Sequence, residues 1–257
     1  MSLRHKLIMM LEFTRIHKQF QQYFRVIPAL TLEQQQHAYR VRHEVYCNEL
    51  GWEEVNSQGV ETDAFDAQSE HCLLQNVNNN EYVGCIRMVL PNQDDPSLPL
   101  PFQLTCAQVL DSGEPDPEQQ QRIAIAEVSR LAIISKYRRR PNEQGHDVTI
   151  TEADYGTLKQ PRFPYIPIGL YMGLLEMARI NNVETLYILT EPSLAHHFCK
   201  LGGKLQPVGG AIEHRGKRIP YKMDVAQVIK QINLLLRPLF NVISNEIKQG
   251  YTTKTDT

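Results

Sequence analysis

Glu127 and Arg130 fall inside Ile123 to Ile134, an apolar, β-branched stretch where charged side chains are hard to house. A buried carboxylate or guanidinium without a partner is costly, so such a strand needs opposite charges delivered from elsewhere in the chain. Three other short clusters offer them. The first is Arg42-His-Glu-Val-Tyr46, with Leu50-Gly51-Trp52 just beyond it. The second is Asp63-Ala-Phe65-Asp66, and the third is Gly84-Cys-Ile-Arg87. Strict alternation along the strand puts Glu127 and Ser129 on one face and Val128 and Arg130 on the other. Taken singly, an Arg on a helix belongs to a solvated face and an Asp-x-x-Asp pair to turn chemistry. Taken together, the clusters describe either a structural ion-pair network or the perturbed charges of a site.

The elements that must position these residues follow from periodicity and punctuation. Residues 24–29 form a first strand. Thr31-Leu-Glu-Gln34 has the form of a capping box and opens a helix that runs to about Leu50 and stops at Gly51. A polar segment leads to Asp63. His71 to Val77 and Glu81 to Leu90 are strands joined by the Asn78-Asn79-Asn80 turn. A proline-rich loop over 91–101 precedes a short element at 102–110, and Ile123 to Ile134 reads as the central strand. Residues 135–164 are long, polar and Pro/Gly-bearing, an insertion over the site. Then come a helix at 166–181, a strand at 183–190, a helix at 192–201 closed by Gly202-Gly203, and a hairpin at 204–224. The chain divides into an N-terminal amphipathic extension (1–23), a main domain (24–224), a helix at 225–247 interrupted at Pro238, and a disordered tail (248–257). The order is that of a mixed α/β sandwich around one twisted sheet. Gly169 and Gly173, four apart, suit close helix packing; Met172, Leu174, Leu175 and Met177 read as core, or as the lining of a tunnel.

Composition narrows the function. With 257 residues, 42% apolar, 22% charged and a net charge of −2, the chain is an ordinary globular protein with no global basic excess for nucleic acid. Its five cysteines include no C-x-x-C pair, which fits a reducing cytoplasm. The apolar patch Leu7 to Leu11 is too short for a signal sequence. The basic amphipathic N-terminal segment either packs on its own domain or lies against the inner face of a membrane. His196-His197-x-Cys199 has no second ligand pair at metal-site spacing, so no metal is expected.

In order and separation, Arg-x-x-x-Tyr, Leu-Gly-Trp, Asp-x-Phe-Asp, Gly-x-x-Arg and Glu-x-Ser-Arg resemble the signature of the acyl-homoserine-lactone synthases. They are similar also to two related groups, the N-acyl amino acid synthases and the acyltransferases associated with exosortase (PEP-CTERM) protein sorting. The resemblance covers about residues 26–135 by motif and the remainder by the order of elements. The length, the N-terminal helix and the 135–164 insertion look closest to the exosortase-associated group. The resemblance implies a GCN5-related N-acetyltransferase fold (α/β, of α+β type): a mainly antiparallel twisted sheet flanked by helices, with a V-shaped split between two central strands. It implies transfer of a fatty acyl group from a thioester to a small amine such as an amino acid. It makes Glu127, Ser129 and Arg130 catalytic candidates and Arg42, Tyr46, Trp52, Asp63, Phe65, Asp66, Arg87 and Leu131 substrate-binding candidates.

Aminolysis of a thioester needs a neutral amine, and Glu127 is the candidate base. Backbone N–H groups near Ser129 to Ala132 would receive the oxyanion. Ser129 would position water or the leaving thiol. Asp63 and Asp66 would hold an ammonium, and Arg42 or Arg87 would hold a carboxylate or brace the acidic pair. Ser135-Lys136-Tyr137-Arg138-Arg139-Arg140 replaces the glycine-rich turn with which coenzyme-A-dependent relatives cradle a pyrophosphate. Lys136, Arg138, Arg139 and Arg140 instead suit an acidic acyl carrier protein, whose acyl-phosphopantetheine is the expected co-substrate, with acyl-CoA as the alternative and no permanently bound cofactor. The competing functions are a homoserine-lactone synthase, a coenzyme-A-dependent acetyltransferase, and a catalytically silent acyl-binding module.

Overall fold

The computed structural model describes residues 16–138, 166–200 and 202–255. Residues 16–23 are helical (α1) and run directly into β1 (Phe24–Pro28). Thr31 Oγ1 accepts from the Gln34 N–H, and the Gln34 side-chain oxygen accepts from the Thr31 N–H. That reciprocal cap starts α2 (Leu32–His43) where the sequence places it. The helix does not continue as α to Leu50. Glu44–Glu49 form a π turn instead, and the Leu50 N–H reaches back five residues to the Val45 carbonyl. The widened turn buries Val45, Tyr46 and Cys47 together.

Asp63-Ala-Phe-Asp66 opens a 3₁₀ turn (Ala64–Gln68) that feeds β2 (Ser69–Asn76). Next come β3 (Tyr82–Val89), α3 (Pro101–Cys106), α4 (Pro117–Gln121), β4 (Ile125–Ile133) and α5 (Ser135–Arg138). Beyond the undescribed stretch lie α6 (Ile166–Ile180), β5 (Thr185–Thr190) and α7 (Pro192–Lys200). The short strands β6 (Gln206–Pro207) and β7 (Ile212–Glu213), β8 (Lys217–Asp224), α8 (Val225–Gln231) and α9 (Arg237–Thr255) complete the chain. The sheet order is β1-β2-β3-β4-β5-β8-β6, with β7 pairing on β8; the pairs are antiparallel except β4–β5. The main core packs α1, α6, α8 and α9 against one sheet face; α2 and α3 cover the other with smaller clusters.

Two details of β4 build the site. The β3–β4 register shifts between Cys85 and Arg87, so Arg130 and Leu131 together face one residue of β3, Ile86. Arg130 takes up the extra length at φ +52°. This bulge corrects the expected alternation: Arg130 turns to the α2 side with Glu127 and Ser129, and Leu131 packs toward the α6 core. On its other edge β4 pairs with β5 only from Ile125↔Thr185 to Val128↔Ile188. From Ser129 onward the two strands part, while β5 stays with β8 out to Thr190↔Ile219. The sheet is therefore split at its centre.

The C-terminus differs from expectation. The helical break falls at residues 232–236, and Pro238 sits in the first turn of α9, where a proline needs no N–H partner. Residues 248–255 are not a disordered tail but the end of α9. Gly250 packs so close to Pro28 that a Cβ would approach within 2.6 Å, and Tyr251 hydrogen-bonds Glu70 and Asn181. Gly173 allows the same closeness on α6, where a Cβ would lie 2.6 Å from Val26 and 2.7 Å from Cys72. Among the described residues, no helix is long and apolar enough to cross a membrane. Residues 1–15 and 139–164 lie outside the described residues, so the N-terminal extension is represented by 16–23 and the insertion by its first four residues.

Candidate active site

Arg42, on the last turn of α2, is fully buried and donates to Glu61 through Nε. Its two terminal nitrogens grip both oxygens of Asp66, at 2.6 and 3.1 Å. Arg87 on β3 donates from Nη1 to Asp63 (2.7 Å) and Asp66 (3.0 Å) and from Nε to Ser129 Oγ (3.0 Å). Arg130 reaches Asp63 at 3.0 Å and Glu61 at 3.2 Å. Three guanidiniums thus interlock with three carboxylates, which makes the burial of each affordable. The 3₁₀ turn explains the Asp63/Asp66 spacing. Asp63 Oδ1 caps the Phe65 N–H while Asp66 Oδ2 accepts from the Asp63 N–H, so one turn aims both carboxylates at the arginines.

The protonation states follow. Burial works against ionised Asp66, but His71, Arg42 and the Asp63 N–H override it and hold its carboxyl well below the usual range. Burial likewise opposes ionised Asp63, and Arg87 reverses the balance so that it too is lowered. Burial opposes charge on Arg42 as well, and Asp66 and Glu61 more than restore it. His71 is held neutral chiefly by burial.

Glu127, three residues before Arg130, is housed differently. It is 5% exposed and accepts one hydrogen bond, from the Phe102 N–H in the first turn of α3, at 2.7 Å. Burial pushes its carboxyl up to about 7, against the downward pull of the Phe102 N–H, Arg87 and Arg130.

The split between β4 and β5 opens a cavity of about 550 Å³, within the range of small-molecule sites. Its walls differ. Tyr46, Trp52, Glu53, Asp63, Arg87, Glu127, Ser129, Arg130, His214, Arg215 and Arg218 supply the polar side. Ile86, Val128, Ile133, Tyr171, Leu194 and Phe198 supply an apolar side that belongs to the α6–α7 core. Tyr46 stacks on Trp52 (ring centroids 5.9 Å) and donates to the Leu131 carbonyl at 3.0 Å. Arg215 lies over Trp52 and binds Glu53 at 2.6 Å, tying the β7–β8 hairpin across the polar end.

Of the residues singled out in sequence, Tyr46, Trp52, Asp63, Phe65, Arg87, Glu127, Ser129, Arg130 and Leu131 line this cavity. Arg42 and Asp66 do not. Their polar atoms are consumed by Glu61, Arg87, His71 and each other, so of the two expected roles the geometry fits bracing: they hold the residues of the cavity wall rather than forming it. Lys136 is exposed on α5, 3.6 Å from Glu81, and is not part of the cavity wall. Arg138 ends α5; Arg139 and Arg140 lie outside the described residues. The core residues Met172, Leu174, Leu175 and Met177 are buried in the main cluster rather than lining the cavity. Sequence reasoning missed Glu61, His71 and the β7–β8 wall. Glu61 sits in an aperiodic polar segment, and its only signal is an acid count: three arginines, two buried and one partly so, need more than two aspartates.

Comparison with known proteins shows what the fold is similar to. Residues 41–145 match the family described as acetyltransferase (GNAT) domain. Acyl-homoserine-lactone synthases of Aeromonas salmonicida and Aeromonas hydrophila are each 34% identical over 96 residues, 37% of this chain and 41% of theirs. The chain thus matches about two fifths of the length of these curated relatives. Among solved structures, TofI in a ternary complex with an inhibitor and MTA superposes with TM-score 0.57 and 17% identity, covering 84% of this chain and 96% of TofI. MesI, a CoA-dependent acyl-homoserine lactone synthase, gives 0.55 and 20%, covering 84% and 95%. BjaI, described likewise and solved with SAM and isopentyl-CoA, gives 0.57 and 17%, covering 84% and 89%.

Proposed function

With the GNAT-type fold as premise, we propose that this chain is an N-acyltransferase that moves a fatty acyl group from a thioester carrier to a small amine. One observation carries the reading: a single buried carboxylate, poised near pH 7, opens onto a cavity that is charged on one wall and apolar on the other. The apolar wall of Ile86, Val128, Ile133, Tyr171, Leu194 and Phe198 suits an acyl chain. Ionised Glu127 removes a proton from the ammonium, directly or through water. The freed nitrogen attacks the thioester carbonyl, the C–N bond forms, and the developing oxyanion meets the edge of β4 that β5 leaves unpaired. The C–S bond then breaks, the thiolate leaves with the proton that Glu127 took up, and the second proton of the attacking nitrogen passes to the regenerated Glu127 carboxylate and on to water. The fixed charge of Asp63 and Arg130 orients the amine without taking part in proton transfer.

Acyl carrier protein is the donor in this reading. The glycine-poor Ser135 to Arg140 segment supports it, and the names of MesI and BjaI support acyl-CoA as the other arm of the test. The 135–164 insertion supports the exosortase-associated branch, and cytoplasmic residence belongs to the same reading. Because BjaI is solved with SAM and isopentyl-CoA, S-adenosylmethionine belongs among the acceptors tried. The test incubates the purified chain with radiolabelled long-chain acyl carrier protein or acyl-CoA and pooled amino acids or S-adenosylmethionine, and identifies products by mass spectrometry. An acylated amino acid is expected and a lactone would select the second reading. No acylated amine from either donor overturns the proposal.

A further inference from the structure

Four guanidiniums line the cavity, and three are already matched. Arg87 has Asp63 and Asp66, Arg130 has Asp63 and Glu61, and Arg215 has Glu53, each with an acid at 3.0 Å or closer. Arg218 has no acid within 4.0 Å among the described residues, and its Nε is buried without a hydrogen-bond partner. Its place is specific. It stands on β8 one residue before the last β5–β8 rung, Thr190↔Ile219, and opposite Ile212 of β7, at the open end of the split. Burial and the nearby Arg215 disfavour its charge, and Glu191, also on the cavity wall, only partly offsets them. A half-buried guanidinium with an unpaired Nε–H on a cavity wall has the chemistry to bind an anion.

We propose that Arg218 receives a carboxylate carried by the amine acceptor, so the preferred acceptor is an amino acid rather than a simple amine. This rests on the acyl-transfer reading and deepens it. The neighbouring groups divide the work. Arg42 and Arg87, the cations first considered for that carboxylate, are saturated by the chain's own acids. Asp63 keeps a quarter of its side chain exposed at the cavity and offers a carboxylate to the ammonium. A cation on β8 and an anion on the turn before β2, both lining the polar side of one cavity, match the two ends of a zwitterion. A planar guanidinium also holds a carboxylate in two parallel hydrogen bonds, which fixes the direction of the amine.

The test compares Arg218→Gln with the unaltered chain on matched acceptors, each an amino acid and its decarboxylated amine. The readouts are steady-state acyl transfer and quenching of Trp52, the single tryptophan, which lies in the cavity wall. Losing a charge-assisted hydrogen bond is worth roughly tenfold to a hundredfold in affinity. The expected result is a rise of that size in KM and Kd for the amino acid, no change for the amine, and an unchanged KM for the acyl donor. Arg218→Lys should recover part of the loss. If the unaltered chain shows no preference within each pair, or neither partner perturbs Trp52, the inference fails. It also fails if the variant raises the donor's KM instead, which would assign Arg218 to the carrier's phosphate. Transfer to amines that ignores Arg218 would sink this inference and leave acyl transfer standing; no transfer to any amine would sink the latter.

Discussion

Arg42 and Glu127 are both buried on the α2–α3 side of the sheet, yet the chain houses the two charges in opposite ways. Arg42 is gripped by Glu61 and Asp66 and touched by His71, and the acids around it are in turn shared with Arg87 and Arg130. Glu127 has one backbone N–H. The first arrangement locks charges on, and the pKa values of Asp63 and Asp66 move away from neutrality. The second leaves a carboxyl that changes state near 7. The contrast is between two ways of housing charge: a saturated network can hold and orient, whereas a desolvated carboxyl with few partners gains and loses its proton close to neutral pH.

The strongest way to break the comparison is Glu127→Gln. The amide oxygen still accepts from Phe102, so the fold should stand, while the proton acceptor is gone. The turnover number at saturating amine is expected to fall about a hundredfold to ten-thousandfold, with an unfolding midpoint unchanged or raised. A variant that retains most of its turnover would move the base elsewhere. Arg42→Met tests the other half. It takes the fully buried partner from Glu61 and Asp66, leaving Arg87 and Arg130 to balance three carboxylates, and is expected to cost about 3–5 kcal/mol in denaturant unfolding, although Arg42 does not touch the cavity. A loss of activity at unchanged stability would make Arg42 a substrate ligand after all.

The two regions should also respond to pH with opposite signs. An acid whose folded pKa is raised keeps its proton in the folded state while the unfolded chain loses it, so its stabilising effect is present below about 4.5 and lost as pH rises toward 7. For Glu127 the loss amounts to about 3 kcal/mol. Glu246, also raised to about 7, contributes to wild type and Glu127→Gln alike and cancels in their difference. Asp63 and Asp66 act the other way: their stabilisation is full above their ordinary carboxyl range and lost as pH falls below it. Stability difference curves for Glu127→Gln against wild type should therefore diverge from about pH 4.5 to 7 and run parallel above. A flat difference would mean that Glu127 is solvated.

Which parts of this were legible in the sequence follows from what each signal encodes. Residue types at fixed spacing mark the four charged clusters, and periodicity with a capping box at Thr31 marks the elements that carry them. Arg130 was misplaced because alternation assumes an unbroken ladder, and nothing in Glu-Val-Ser-Arg announces a non-glycine residue at φ +52°. Glu61 was missed because its segment has no period and its role depends on a chain reversal from the Tyr39 carbonyl. The end of α9 was missed because Gln, Thr and Lys look like a tail, whereas Tyr251 and Gly250 are fixed by partners about 180 and 220 residues away. Each miss is a contact made in three dimensions, invisible to a local window.

Ser129 supplies the finest test because it touches both regions. Its hydroxyl accepts from Arg87 Nε, and its backbone begins the β4 edge that leaves β5. A serine nucleophile needs a base that takes its proton, and the partner observed here is a guanidinium, a donor only. Ser129→Ala should therefore cost about 1 kcal/mol of stability, since Arg87 keeps Asp63 and Asp66, and lower kcat/KM by less than about tenfold. Burst kinetics and intact-mass spectrometry of the acyl-loaded protein sharpen the point. An acyl adduct on wild type that disappears in Ser129→Ala would replace direct transfer by a covalent route and move the chemistry from Glu127 to the edge of the charge lattice.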